Sequence, residues 1–158
     1  MKLGVLLIVI MSFFACSEDK PSAQGEWIVG EEKEKITTIE TQFRGFDMTM
    51  VETGYRYQEL YWAGQDENWE YAQYQIQKIR KTINYGLQRR PKRSESAQHF
   101  LDVSLPEMER AIDLKDTVEF DNSFNLFTNA CNNCHTKEQV PFFSVQTPTI
   151  RQSPIRLK

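Results

Sequence analysis

The sequence contains little cysteine and little histidine, with three cysteines and two histidines among 158 residues. Two of the cysteines, Cys131 and Cys134, lie only three positions apart, and Cys16 ends an apolar leader that is described below. No pair is therefore left for a disulfide that would join distant parts of the chain. About 130 residues follow the leader and its flanking polar segment, which is enough for one domain with a single hydrophobic core.

A basic excess and long apolar runs are also lacking. The formal charge of −3 gives no indication of nucleic-acid binding. One apolar-to-small run, Leu3 to Ala15, follows Lys2, and it is too short to remain as a membrane-spanning helix. This pattern predicts a signal peptide over residues 1 to 15. Without those residues, which contain one lysine and no acidic side chain, the formal charge becomes −4.

The residues Phe13-Phe14-Ala15-Cys16 resemble the lipobox of bacterial lipoproteins, with Phe13 in place of the usual leucine. The resemblance implies cleavage before Cys16 and lipidation of its thiol, and the alternative is an ordinary secretory signal with a nearby cleavage site. Ser17 to Lys20 resembles the acidic export signal of bacterial surface lipoproteins. We therefore expect residues 16 to 30 to form a flexible tether, anchored to an envelope membrane on its periplasmic side or at the cell surface.

Beyond the tether, apolar residues recur at alternating spacings of three and four, which is the period of an amphipathic helix. The first stripe predicts one helix of roughly seven turns and comprises Ile36, Ile39, Phe43, Phe46, Met50, Thr53, Tyr57 and Leu60. Gly64 lies just past this stripe, and Asp66 to Asn68 offer capping side chains for a second helix. The second stripe comprises Trp69, Ala72, Ile76, Ile79, Ile83 and Gly86, and the helix ends before Pro91.

Two further helices follow a basic loop. Ser104 and Glu107, with Pro106 between them, form a capping box pattern that predicts a helix from about Leu105 to Lys115. The preceding segment, Gln98 to Val103, is either a helical turn or a loop. The inward residues of this helix are Met108, Ala111 and Ile112. Asp116 is expected to cap a last helix that Pro141 ends, with a stripe comprising Phe120, Phe124, Phe127, Cys131 and Cys134.

Four amphipathic helices joined by short turns predict an all-α fold, an antiparallel four-helix bundle over residues 31 to 158 that includes an extended C-terminal tail. The tail begins at Phe142. Phe142, Phe143 and Val145 are expected to pack back on the bundle.

The stretch TNACNNCHTKEQVP contains Cys131-Asn-Asn-Cys134-His135. This is the spacing of covalent haem attachment, in which each thiol forms a thioether with one vinyl group and the adjacent histidine ligates the iron. A thioredoxin-like thiol pair would need a thiolate at a helix N-terminus, whereas this motif follows a helical stripe. A zinc site would need a fourth ligand, and only His99 remains. The motif therefore favours one haem c on Cys131 and Cys134, with His135 as the proximal iron ligand.

A four-helix bundle with one such motif near the end of its last helix resembles the cytochrome c prime group. More closely, LYWAG at residues 60 to 64, NWEYA at 68 to 72, the haem motif and PFF at 141 to 143 resemble a set of small exported monohaem cytochromes. The resemblance covers about residues 40 to 150 and implies their fold and cofactor. The chain departs from cytochrome c prime after His135, because Pro141 cuts the helix and no arginine follows near the imidazole.

Met50 is the candidate for the distal iron ligand. Counted from Trp62, it lies about three and a half turns into the first predicted helix, near where b-type four-helix cytochromes have their methionine ligand, and a thioether there would raise the reduction potential. The alternatives are a core methionine and an open or blocked distal face. Met48 points sideways. We interpret His99, in the predicted loop, as solvated, and Tyr57 either as a hydrogen-bonding group near the haem or as a core residue.

Two surface features bear on partners. The first and second helices are unusually aromatic, and their rings could line the haem edge, form a homodimer interface or fill the core; they are Tyr55, Tyr61, Trp62, Tyr71 and Tyr74. A basic run near the crossover is either solvated or steers an acidic redox partner; it comprises Arg89, Arg90, Lys92 and Arg93.

The sequence gives no reason to propose substrate turnover, so we expect an electron carrier rather than an enzyme. Such a cytochrome would pass single electrons to a partner protein through a six-coordinate haem. The alternatives are a five-coordinate haem protein that binds nitric oxide or carbon monoxide, which the cytochrome c prime resemblance implies, and a structural lipoprotein without haem.

Overall fold

The computed structural model describes residues 23–157, and within them every regular element is a helix. Residues 23–43 and residues 44–157 form two separate compact units. The predicted signal peptide and the lipidation site at Cys16 lie outside the described residues, as does the first half of the predicted tether. Residues 23–31 contain no helix or strand, and α1 then spans Glu32–Gln42.

The prediction that the first stripe forms a single seven-turn helix is wrong. Helix α1 ends at Gln42, and α2 begins anew and spans Phe46–Gln65. Between them Arg44 has a φ of 58°, a left-handed conformation that interrupts the helix. The Asp47 carboxylate accepts a hydrogen bond from the backbone N–H of Gly45 at 3.0 Å and pairs with the Arg44 guanidinium, so side chains of the new first turn stabilise this start.

The stripe therefore divides into two parts with different burial. In residues 23–43 its members are exposed, by 51% for Ile36, 39% for Ile39 and 60% for Phe43, so their predicted inward orientation is wrong. In α2 the inward orientation of Thr53, Tyr57 and Leu60 is confirmed.

Helix α3 spans Trp69–Arg89, and its predicted cap is confirmed, because the Asn68 side chain accepts from the backbone N–H of Tyr71 at 3.2 Å. The buried side of α3 includes Ala72, Ile76, Ile79, Ile83 and Gly86. Gly64 does not follow α2 but lies inside its last turn, buried against the ring of Phe120.

The third predicted helix begins about ten residues earlier than expected. After a short 3₁₀ turn, Pro91–Arg93, helical backbone runs through α4, Ser94–His99, a π-helical turn, Phe100–Ser104, and α5, Leu105–Leu114. Ser104 has helical dihedrals and makes no capping hydrogen bond, so the predicted capping box is wrong. Pro106 lacks an N–H and its ring crowds the preceding turn, and a wider π turn at that place relieves both conflicts.

Helix α6 spans Thr117–Lys137 and carries the motif. Its predicted cap is confirmed, because the Asp116 carboxylate accepts from the backbone N–H groups of Val118 and Glu119 at 2.9 and 3.0 Å. The helix ends before Gln139, which has a φ of 61°, and so before Pro141.

Within residues 44–157 the longer helices pack in a closed order, α2 on α3, α3 on α5, α5 on α6 and α6 on α2. Their shared core is rich in aromatic rings. It is formed by Tyr57, Leu60, Ala63, Ala72, Ile76, Ile79, Ile83, Phe100, Leu105, Met108, Ile112, Phe120, Phe124, Phe127 and Ala130. The inward prediction for Met108, Ala111 and Ile112 is confirmed.

The C-terminal tail follows without helix or strand. Val145 packs against the core as predicted, but Phe142 and Phe143 are 73% and 63% exposed, so the prediction that they pack back is wrong. A bidentate ion pair fastens the far part of the tail, with two guanidinium nitrogens of Arg151 at 2.7 and 2.5 Å from the carboxylate oxygens of Asp66. No helix in the described part of the chain has the length and apolar character needed to cross a membrane.

Candidate functional site

The two motif cysteines lie in the last two turns of α6, where a spacing of three puts their side chains on one face of the helix. Both are free thiols and both are half-buried. Cys131 packs against the aromatic core. The phenylalanine stripe of α6 thus leads directly into the motif and fixes which way its sulfurs face.

Both thiols are held in the protonated form. Burial is the main cause that raises the pKa of Cys131 to about 12, and the nearby Cys134 adds to the increase. Burial also raises the pKa of Cys134, although a hydrogen bond with Ser96 and the charges of Lys137 and Arg93 act in the opposite direction. A dithiol redox pair needs a stabilised thiolate at neutral pH, so this environment disfavours the thioredoxin-like alternative.

His135 is oriented by the tail. Its ring nitrogen Nδ1 lies 2.5 Å from the backbone carbonyl oxygen of Phe143. A carbonyl oxygen can only accept, so Nδ1 carries the proton and donates it. In the neutral ring the lone pair is then on Nε2, the atom that a metal would bind.

Asn132, inside the motif, binds the same part of the tail. Its amide nitrogen donates to the carbonyl oxygen of Val145 at 3.0 Å, and its amide oxygen accepts from the backbone N–H of Val145 at 2.7 Å. The other intervening residue, Asn133, is exposed. Sequence reasoning missed Asn132 and the Phe143 carbonyl, because nothing in the local pattern distinguishes Asn132 from Asn133.

Helix α2 approaches this end of α6 through Tyr57. Its hydroxyl lies 2.7 Å from the hydroxyl oxygen of Thr128 and donates to the carbonyl oxygen of Gln146 at 3.3 Å. Burial raises the pKa of Tyr57 to about 12, against the hydrogen bond with Thr128, which lowers it. One turn earlier in α2, the buried hydroxyl oxygen of Thr53 has no hydrogen-bond partner among the described residues.

Met50 is half-buried and packs against the core, so the structure supports its inward position but not a fully enclosed one. It lines an open groove of about 500 Å³ between α2 and the tail. Buried Glu59 also lines this groove and accepts hydrogen bonds from the hydroxyls of Tyr71 and Ser153 at 2.8 and 2.9 Å. Met48 is 37% exposed.

His99 lies in helix α4 rather than in the predicted loop, and it is exposed. The structure does not bring it into a cluster with the motif cysteines. Within residues 23–157, no group of three or more histidine, cysteine, aspartate or glutamate side chains has an arrangement that could hold a metal ion.

The aromatic residues of α2 and α3 divide between core and surface. The Tyr61 ring lies 5.0 Å from that of Phe124, at the core. Tyr71 and Tyr74 stack at 6.3 Å, and Tyr74 and Tyr55 are about half exposed. Trp62 is covered by the Arg151 guanidinium, 5.5 Å above its ring, so tail residues occupy part of this aromatic surface.

Three of the four basic side chains near the crossover are bound within the fold. Arg89 donates to the Thr49 hydroxyl at 3.0 Å, and Arg90 donates to the Arg89 carbonyl oxygen at 2.8 Å. Arg93 pairs with Glu138, which directly follows α6 and also accepts from the Ser96 hydroxyl. Lys92 is exposed. The run therefore contributes to packing next to the motif as well as to surface charge.

The chain was compared with protein-family models, with curated proteins and with solved structures, and none of them matches.

Proposed function

We propose that this protein is an exported c-type cytochrome that carries single electrons. Cys131 and Cys134 would hold one haem c through thioethers, and His135 would ligate its iron through Nε2. The proposal depends on the sequence motif together with one structural observation, the hydrogen bond from His135 Nδ1 to the Phe143 carbonyl oxygen. Metal-ligating histidines usually donate their second ring N–H in this way, which fixes the tautomer and the ring plane.

The side chains of the motif have the chemistry that a covalently attached haem needs. The two thiols share a face of α6, the adjacent imidazole has a free Nε2, and both thiols are neutral rather than reactive thiolates. A covalently bound haem supplies reversible one-electron oxidation and reduction. The surrounding residues would position it: α6 fixes the sulfurs, and the tail fixes the imidazole.

The finer fold is part of the same proposal. Gly64 meets Phe120, whereas Tyr57, two turns earlier in α2, meets Thr128, two turns later in α6. Residue numbers thus fall along α2 as they rise along α6, which supports an antiparallel four-helix bundle resembling cytochrome c prime. Continued for two more turns, this register brings Met50 to the level of Cys134 and His135. It supports Met50 as the distal ligand.

A second candidate is a five-coordinate haem protein that binds nitric oxide or carbon monoxide. It is favoured by the orphaned hydroxyl of Thr53, which lies between Met50 and Tyr57 on the same side of α2 and could donate to a bound ligand. The coordination number and the spin state of the iron separate the two candidates.

The cellular setting stays a proposal drawn from the sequence. Lipidation at Cys16 would anchor the protein to a bacterial envelope membrane through the segment that precedes residue 31. A redox partner protein is implied, and the half-exposed Tyr55 and Tyr74 leave a homodimer contact through α2 and α3 open.

The deciding experiment is a pyridine haemochrome assay on the full-length protein, expressed in a bacterium that attaches c-type haem. We expect an absorbance spectrum of haem with two saturated thioether links, and haem that stays with the polypeptide under denaturing conditions. Cys131→Ser and Cys134→Ser should each shift the spectrum toward one unsaturated vinyl group. A full-length protein without covalent haem would remove both haem candidates and leave the structural lipoprotein.

A further inference from the structure

We infer that Asn132 is a positioning residue for His135. It would hold the tail so that the Phe143 carbonyl oxygen accepts the His135 Nδ1 proton. This inference rests on the proposed function for its redox consequence, but the hydrogen-bond relay itself concerns only residues of this chain.

Asn132 makes a pair of hydrogen bonds with one residue of the tail. The side-chain amide donates to and accepts from the same residue, Val145, at 3.0 and 2.7 Å. This is the pairing that one β-strand residue makes with another, here made by a side chain. It fixes both the position and the direction of the tail backbone at Val145.

The spacing of Asn132 and His135 on α6 matches the spacing of the residues that they bind in the tail. Asn132 and His135 are three apart in α6, so their side chains project from one helix face about 5 to 6 Å apart. Their acceptors, Val145 and Phe143, are two apart in a non-helical segment, a separation of about 6 to 7 Å in extended chain. Two neighbouring side chains of α6 thus bind two neighbouring residues of the tail. When Asn132 fixes Val145, the Phe143 carbonyl oxygen is aligned with His135 Nδ1.

Phe143 is not held in place by its own side chain. Its own ring is 63% exposed, and the ring of Phe142 is 73% exposed, so neither side chain anchors this part of the tail in the core. Backbone bonds from Val140 to His135 and from Phe143 to Val140 shape the turn before it. The nearest anchor on the other side is Val145, whose backbone is held by Asn132 and whose side chain packs against the core.

The test measures the His135 ring in the full-length chain as isolated, labelled with ¹⁵N at histidine. In the wild type, NMR should show the proton on Nδ1 and slow exchange of that N–H with solvent, with exposed His99 as a fast-exchanging internal reference. Asn132→Ala should make the exchange of the Nδ1–H at least tenfold faster, and in a chain without haem, where no iron on Nε2 fixes the tautomer, it should also give a mixture of tautomers. The control is Asn133→Ala, the neighbouring exposed asparagine, which should behave as the wild type.

A second variant reaches the same contact from the tail. Val145→Pro removes the N–H that donates to Asn132 and leaves the sequence of α6 unchanged, so it keeps the inference testable if Asn132→Ala does not fold. Val145→Ala, which loses the side chain that packs against the core but keeps the N–H, is its control and should behave as the wild type. Circular dichroism reports whether each variant retains its helices. In the haem-loaded protein Asn132→Ala and Val145→Pro should both shift the reduction potential to more positive values, because a weaker Nδ1 hydrogen bond makes the imidazole a poorer electron donor.

The outcomes separate the two ideas. If covalent haem is present but Asn132→Ala and Val145→Pro match Asn133→Ala in Nδ1–H exchange rate and reduction potential, the positioning role is wrong and the proposed function stands. If no covalent haem is found, the proposed function fails, and the tautomer and exchange rate still decide whether Asn132 positions His135.

Discussion

Gly64 and Phe120 are in such close contact that a side chain of any size on Gly64 would overlap the phenylalanine ring. Both residues are buried, and Phe120 is fully enclosed by the core. This contact lets α2 approach α6 at the end of the fold opposite the motif.

Gly64→Ala should therefore lower the free energy of unfolding by about 1 to 3 kcal/mol, because the new methyl group must displace a packed ring. Gly54→Ala is the matched control, since Gly54 lies in the same helix and nothing lies within 4 Å of the added Cβ. That variant should gain about 0.5 to 1 kcal/mol from helix propensity. Urea unfolding measures both, and equal stability of the two variants would contradict the contact.

Met50→Ala tests the distal ligand. If Met50 binds the iron, the haem-loaded variant should change from a low-spin to a high-spin resonance Raman spectrum, while Met48→Ala, at the 37% exposed neighbour, should not. A low-spin spectrum that survives Met50→Ala would show that Met50 is not the ligand. A wild type that is already high-spin and binds carbon monoxide would favour the gas-binding candidate.

Cys131 should be a slow nucleophile in the folded chain before haem attachment. Its pKa of about 12 leaves almost no thiolate at neutral pH. A Cys16→Ser/Cys134→Ser chain isolates this thiol, and its alkylation by iodoacetamide should be slow at pH 7, rise with pH, and become at least tenfold faster in urea. Equal rates in the folded and unfolded chain would show that burial does not protect the sulfur.

Tyr57 should ionise at a higher pH than an ordinary tyrosine. In the unfolded chain its phenol ionises near pH 10, and in the folded protein near pH 12, so the neutral phenol favours folding. The resulting stability is fully present below pH 10 and is lost as the pH rises to 12, by roughly 2 kcal/mol. Ultraviolet titration of tyrosinate absorbance, compared between the wild type and Tyr57→Phe, identifies this group. The variant should lack the step near pH 12 and lose less stability between pH 10 and 12, whereas the ionisation of Tyr71, whose pKa burial also raises, should remain.

Asp66 should hold the tail in a pH-dependent way. The hydrogen bond from Arg151 keeps the pKa of Asp66 below its ordinary value of 3.8. The ion pair therefore stabilises the fold above pH 3.8, and this stability is lost as the pH falls through the lower pKa of the folded state. Asp66→Asn should cost roughly 1 kcal/mol and increase proteolysis of the tail at neutral pH. Glu67→Gln, at the exposed adjacent position, is the control.

The parts of the fold that local chemistry determines could be predicted from the sequence. The apolar stripes of α3 and α6, with the caps at Asn68 and Asp116, lie within a few residues of the helices that they define. The break at Arg44 could not be predicted, because Phe43 and Phe46 continue the helical spacing across it and the left-handed residue is not a glycine.

The start of the third helical segment shows a competition between signals. Ser104, Pro106 and Glu107 have the pattern of a helix beginning, but burial of Ala97 and Phe100 favours helical backbone further upstream, and a π turn accommodates the proline. Similarly, the motif was enough to name the two thiols and the imidazole as candidate site residues. The hydrogen-bond partners of His135 and Asn132 could not be predicted, because they lie in the tail, where the sequence carries no periodic signal.

The hydrogen-bond acceptor of His135 lies eight positions later in the chain, so the five residues of the motif do not by themselves determine how the imidazole is held. A gene truncated by a stop codon after position 140 would still encode Cys-Asn-Asn-Cys-His without a single changed letter, and a pattern search would score it as intact. Its imidazole would nevertheless have lost its acceptor and Asn132 its partner, so such a truncation would damage the motif although every residue of the motif is retained.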